Sequence, residues 1–127
     1  MRGHLAHADV SALPSLFFEG VPTAILEAMA MEKAVICSRT PGQTDVIVDG
    51  ETGMYISPEE PTALREAIQN LLDHPGKCAE FGKKGRQRIL EQMCLEHYVE
   101  RLLTYIDELS CTEKSYLLKS DCEEMPG

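Results

Sequence analysis

Two short apolar runs, Val10-Ser11-Ala12-Leu13 and Ala34-Val35-Ile36-Cys37, bracket a segment that reads as one apolar helix starting near Pro22. A strand, a helix and a strand within about thirty residues form a βαβ unit, which leaves the chain little freedom of fold. The crossover helix returns the chain to the same end of the sheet, so the strands are expected to be parallel and the crossover right-handed. The first run ends at Pro14 and the second, continuous and β-branched, at the polar turn Ser38-Arg39-Thr40-Pro41-Gly42. Continuous apolar runs suit strands covered on both faces. After the turn Gly50-Glu51-Thr52-Gly53, the run Met54-Tyr55-Ile56 is predicted as a third strand.

Three helical patterns follow. Pro61 to Asp73 places Leu64, Ala67, Ile68, Leu71 and Leu72 on one face, and Pro75-Gly76 ends it. Gly76 to Met93 is weaker, with Phe81, Ile89 and Leu90 as apolar contacts and two internal glycines. Leu95 to Leu109 repeats Tyr98, Val99, Leu102, Leu103 and Ile106. The simplest role for these stripes is to cover the sheet. After Ser110 the chain turns polar and patternless, which predicts one domain over residues 1–109 and a mobile tail over 110–127. At 127 residues and 43% hydrophobic composition the chain can make one modest core and not two.

Ligands of open parallel sheets bind beyond the carboxyl ends of the strands. Two loops fall there, Ser15 to Pro22 and Ser38 to Thr44. Pro22 suits the first position of a helix, where its missing N–H costs nothing. The N–H groups of Thr23, Ala24 and Ile25 then lack partners at the positive end of the helix dipole, an anion site suited to a diphosphate. Gly20 lets the backbone come close to such a ligand. Glu27 lies one turn beyond Thr23, ~6 Å along the axis, with its side chain leaning back toward the helix start. A carboxylate repels phosphate but accepts hydrogen bonds from hydroxyls, so Glu27 fits the ribose of a nucleotide whose diphosphate sits on the helix end. Glu19 then faces whatever is attached beyond the diphosphate.

A glutamate pair with seven residues between its members reads by itself as solvated surface. Here it is embedded in a longer run: Leu13-Pro14-Ser15, Glu19-Gly20-Val21-Pro22-Thr23 and Glu27-Ala28-Met29-Ala30. With Ala8-Asp9-Val10, Pro41-Gly42-Gln43-Thr44-Asp45-Val46-Ile47 and Asp49-Gly50-Glu51-Thr52-Gly53-Met54, this order of landmarks resembles the second, donor-binding domain of the retaining nucleotide-sugar glycosyltransferases built from two Rossmann-like domains (glycosyl transferases group 1, GT-B fold). The resemblance runs from Ala8 to about Leu109 and implies an α/β fold with a partial Rossmann-like parallel sheet. It also implies transfer of a sugar, of the hexosyl type, from a nucleotide diphosphate sugar to an acceptor with retention of anomeric configuration and no obligatory metal. By position Glu19 resembles the glutamate near the transferred sugar, and Glu27 the one that binds the donor ribose. Gly20, Val21, Pro22 and Thr23 resemble the loop that meets the sugar and diphosphate. Asp45 stands where the family usually has glutamate and Leu95 where an aromatic is frequent. The family's first domain, the opening strands of its second and the basic residues that hold the diphosphate have no counterpart in these residues. Weak turnover alone, a need for the missing acceptor side or a partner, and an open sheet edge are therefore expected. The alternative is a noncatalytic interaction module that keeps the fold and joins a protein partner or a second copy through that edge.

The remaining signals narrow the class. A formal net charge of −9 argues against nucleic acid and anionic membrane surfaces as partners. Lys83, Lys84, Arg86 and Arg88 form the one basic cluster, read as a solvated helix face in preference to a phosphate patch. The five cysteines are scattered without a Cys-x-x-Cys pair, and the four histidines make no ligand set, so no metal and no cofactor beyond the donor nucleotide sugar is expected. No run approaches ~18 apolar residues and no charged-then-apolar leader opens the chain, which together with reduced thiols predicts a cytoplasmic protein.

Overall fold

The computed structural model describes residues 2–17 and 20–123. The chain divides into two units, Met1–Glu91 and Gln92–Gly127. The first contains α1 (Arg2–His7), β1 (Val10–Leu13), α2 (Thr23–Ala30), β2 (Ala34–Ser38), α3 (Gln43–Val46), β3 (Gly53–Ile56), α4 (Pro61–Asp73) and all but the last residue of α5 (Pro75–Gln92), and the second contains α6 (Leu95–Glu123).

The strands form one parallel sheet in the order β1-β2-β3. Val10 stands opposite Ala34, Leu13 opposite Cys37, and Cys37 opposite Tyr55. The central strand β2 is buried along its whole length, as its unbroken apolar run requires. Its side chains alternate between two faces. Ala34 and Ile36 join Ile56, Ala67, Leu71 and Phe81 in a cluster that α4 and α5 close. Val35 and Cys37 point to the opposite face. Helix α2, packed on β1 and β2, buries Ile25, Ala28 and Met29.

The edges of the sheet differ. The outward groups in the middle of β3 are both taken by the turn that precedes it: Gly53 O accepts from the Gly50 N–H at 2.9 Å, and the Tyr55 N–H donates to Asp49 Oδ1 at 3.0 Å. Gly50 reaches this position with φ +76, where a side chain would be strained. On the outer side of β1 no described strand pairs.

Helix α2 ends in a Schellman motif. The Lys33 N–H donates to Ala28 O at 2.9 Å and the Glu32 N–H to Met29 O at 3.0 Å, with Glu32 itself left-handed at φ 58. Helix α5 passes directly against this corner. A Cβ on Gly82 would fall 2.0 Å from Glu32 O, so only glycine admits the approach. Two members of the basic cluster also seal helix ends, Arg86 from an exposed position and Arg88 from a half-buried one. Arg86 donates to Ala30 O at 2.9 Å, and Arg88 donates to Val46 O at 2.8 Å and to Asp45 O at 3.2 Å. Lys84 makes an exposed pair with Glu80 at 2.6 Å, one turn away on the same helix. Arg88→Ala is expected to lower stability by about 1–2 kcal/mol through two lost charge-assisted bonds. Arg88→Lys is not expected to restore it, because an ammonium lacks the planar fork. Lys83→Ala is expected to stay within ~0.5 kcal/mol of the parent. Urea midpoints of the three variants check the ranking.

Several elements differ from the sequence expectation. Pro22 is the N-cap of α2, not its first helical residue: its ψ of 122 is extended, and its carbonyl accepts from the Ile25 N–H at 3.1 Å. The loop after β2 winds into the single turn α3 behind Gly42, whose φ is 88. Helix α6 continues past Leu109 to Glu123, since no Gly or Pro interrupts the chain between Ser110 and Glu123. Residues 124–127 lie outside the described residues.

Candidate functional site

All three strands run the same way, so the connections β1–α2, β2–α3 and β3–α4 leave from one edge of the sheet. At that edge the chain from Leu13 to Pro22 carries α2 back over β1 and β2. Pro22 supplies the first carbonyl of the helix, and the Ile25 and Leu26 N–H groups both donate to it, at 3.1 and 3.4 Å. This leaves the N–H groups of Thr23 and Ala24 without a backbone partner among the described residues, and Pro22 at the N-cap has no side-chain bond to offer them. Two free donors at the positive end of an eight-residue helix suit an anion. The sequence expectation of three free donors is corrected here, because Ile25 is tied to Pro22 by the extended backbone of the cap.

The predicted residues fall as follows. Gly20 is exposed, and a Cβ there would meet no described atom within 4 Å. Val21 is 47% exposed and Phe17, earlier in the loop, 79%. Thr23 and Glu27 are both exposed, one turn apart, while Ile25, Ala28 and Met29 point into the core. Glu27 is thus an exposed acceptor for hydroxyls one turn along the helix from a donor pair that suits an anion. Glu19 lies outside the described residues.

The second loop holds groups that the sequence did not single out. Ser38, Thr40 and Gln43 are buried, and Ser38 Oγ, Thr40 Oγ1, Gln43 Oε1 and Gln43 Nε2 have no hydrogen-bond partner among the described residues. Buried polar atoms without partners are rare, and a run of them at a sheet's carboxyl edge marks a polar floor there. The one sequence signal for them was position, polar residues directly after a buried strand. On the α4 face of the same edge lies a cavity of about 260 Å³ lined by Pro14, Leu16, Ser38, Glu59, Glu60 and Leu64 among others. Its two glutamates oppose an anion, which leaves the α2 terminus as the place for one.

Behind the edge, the Tyr55 hydroxyl donates to Ile47 O and lies 3.5 Å from Thr44 O, holding α3 to β3. Burial, followed by the charges of Cys37 and Asp49, pushes the Tyr55 hydroxyl up from its ordinary pKa. Cys37 beside it is fully buried, and burial with the nearby Asp49 pushes its thiol up to about 12. Neither group offers a nucleophile near neutral pH. Among the described residues no three His, Cys, Asp or Glu side chains gather as a metal site, and no helix is long and apolar enough to cross a membrane.

Comparison with known proteins adds an independent line. The family model described as "Glycosyl transferases group 1" matches residues 2–88. Alpha-maltose-1-phosphate synthase of Mycolicibacterium smegmatis is 31% identical over 116 residues, covering 87% of this chain and 30% of the relative. Among solved structures, sucrose-phosphate synthase from Thermosynechococcus elongatus superposes with a TM-score of 0.77 at 28% identity, covering 86% of this chain and 27% of that one. TarM of S. aureus, solved with Fondaparinux, alpha-GlcNAc-glycerol and UDP, superposes with a TM-score of 0.75 at 26% identity, covering 81% and 21%. The chain thus spans about 30% of the length of the first of these relatives.

Proposed function

Since the chain belongs to the glycosyl transferases group 1 family, we propose that it supplies the donor side of a glycosyltransferase that moves a sugar from a nucleotide diphosphate sugar to an acceptor with retention of configuration. One observation carries the reading: a helix end whose Thr23 and Ala24 N–H groups have no backbone partner among the described residues sits at the carboxyl edge of a parallel sheet, with the exposed Glu27 one turn on. In this reading those N–H groups hold the diphosphate and Glu27 accepts from the ribose hydroxyls. The backbone from Gly20 to Thr23 follows the sugar and phosphates, and Glu19 lies beside the transferred sugar. TarM, bound to UDP, supports a nucleoside diphosphate as the ligand class. Catalysis is electrostatic: fixed donors stabilise charge on the leaving diphosphate without a metal, and the two substrates are held in line. A cytoplasmic setting fits a reaction fed by soluble nucleotide sugars.

The acceptor side comes from the length of the relatives that this chain does not span, or from a partner protein along the open side of β1. Sugar transfer by the chain alone is therefore weak or absent. Calorimetric titration with UDP, GDP, ADP and their sugar conjugates tests the donor site directly. Saturable binding to one base is expected, weakened about tenfold or more in Glu27→Ala, the loss of one or two hydrogen bonds to a charged group. No saturable binding by a chain that circular dichroism shows to be folded would overturn the reading. It would favour the second one, a noncatalytic interaction module, which the unpaired outer side of β1 already supports.

A further inference from the structure

Helix α6 carries eight large apolar side chains between Leu95 and Leu109, each from 42% to 71% exposed: the leucines 95, 102, 103 and 109, the tyrosines 98 and 105, and Val99 and Ile106. Their order is regular. Leu95, Val99, Leu102, Ile106 and Leu109 follow one another at spacings of four, three, four and three residues, the 3.5-residue repeat that keeps a seam facing a partner helix along a left-handed supercoil. In heptad terms the leucines occupy d and the β-branched Val99 and Ile106 occupy a. That distribution favours two parallel strands over three or four. Tyr98, Tyr105 and Leu103 fall at the flanking g and e positions and widen the seam. Glu100, Arg101, Asp107 and Glu108 fall at b and c, on the outer side.

We propose that α6 pairs in parallel with α6 of a second copy of this chain. The area is of the right order: eight large apolar side chains, two of them tyrosines of about 150–250 Å² each, are 42% to 71% exposed along the stripe, and one partner contributes about 800 Å² to a stable interface. The charges weigh little against the pairing: in parallel register Tyr98 meets Leu103 of the second copy across the seam, Glu96 takes a flanking e position only at its start, and Glu100, Asp107 and Glu108 stay on the outer side. With a net charge of −9 on each chain, added salt strengthens the association. This inference does not depend on the donor-site reading.

Sedimentation equilibrium of the full chain is the test. The mass is expected to rise from 14.1 kDa toward twice that value between about 1 and about 100 µM. Ile106→Asp, at the middle of the seam, is expected to hold it at the monomer value, and Asp107→Ala, on the outer side, to leave the rise unchanged. With Cys94, Cys111 and Cys122 replaced by serine, Leu102→Cys should oxidise to a disulfide dimer, because d residues face each other only in parallel register. A chain that stays at 14.1 kDa at every concentration overturns the proposal. So does a dimer that survives Ile106→Asp, which would place the interface elsewhere, along the open side of β1 for example. Assembly beyond two copies, or a Leu102→Cys chain that does not cross-link, overturns the parallel two-stranded form. Helicity by circular dichroism accompanies each variant, and Leu109→Lys serves as the second seam variant should Ile106→Asp lose it.

Discussion

Gly82→Ala is expected to destabilise the first unit by about 3 kcal/mol, a large part of the stability of a domain this size. Helix propensity alone predicts the opposite, since alanine gains about 1 kcal/mol over glycine inside a helix. The close approach decides the sign. The added Cβ would lie 2.0 Å from Glu32 O and 2.6 Å from Glu32 C, and both are main-chain atoms in a hydrogen-bonded corner that cannot swing aside. The other glycines of α5 provide the controls. Nothing lies within 4 Å of a Cβ on Gly76, and at Gly85 the nearest atom, Met29 Cγ, is 3.5 Å away in ordinary contact. Gly76→Ala and Gly85→Ala are expected to be neutral or to stabilise by up to ~1 kcal/mol. Glu32→Gly is not expected to rescue Gly82→Ala, because the obstructing carbonyl belongs to the backbone. An unchanged or raised urea midpoint for Gly82→Ala would show that α5 does not pass against that carbonyl.

The second large effect is alkaline unfolding driven by Cys37. Its thiol stands at about 12 in the folded chain against an ordinary 9.0. Below pH 9 both folded and unfolded states keep the proton and the stabilisation is complete. As pH rises from 9 toward 12 the unfolded chain gives up its proton and the folded chain does not, so stability falls with pH until the folded thiol also ionises. Three pH units at about 1.4 kcal/mol each set the loss on the order of 4 kcal/mol. Tyr55 and Cys78, also pushed up by burial, act in the same direction. Comparing the parent with Cys37→Ala in urea from pH 8 to pH 11 isolates the thiol: the difference between them should shrink steadily with pH. Parallel curves across that range would exclude Cys37 as the titrating group.

The elements legible in the sequence were those whose signal is local. The strand Val10–Leu13 and the helix Pro61–Asp73 have the bounds that their apolar runs and flanking prolines set, and β2 and β3 differ by one residue. The six-residue α1 and the one-turn α3 carry too few residues to show a period. What stayed hidden depended on contacts distant along the chain. Arg86 and Arg88 read as surface charges, yet their partners at Ala30, Asp45 and Val46 lie 42 to 56 residues away. The glycines of α5 read as weakness in a helix, and only the Glu32 corner gives one of them a purpose. At the candidate site the helix start, Glu27 and the loop edge were legible, because capping and strand order are local rules. The orphaned polar atoms of Ser38, Thr40 and Gln43 were not, since burial of a loop is decided by what packs over it.

The turn that ties Asp49 and Gly50 to the outside of β3 also sets the valence of the sheet. With that side stitched shut, strand addition is possible only along β1, so a meeting of two such sheets uses the one available side of each and leaves none for a third. Edge pairing between the described strands then ends at two copies. Asp49→Ala would undo half of the stitch: it frees the Tyr55 N–H and leaves the main-chain bond from the Gly50 N–H to Gly53 O in place.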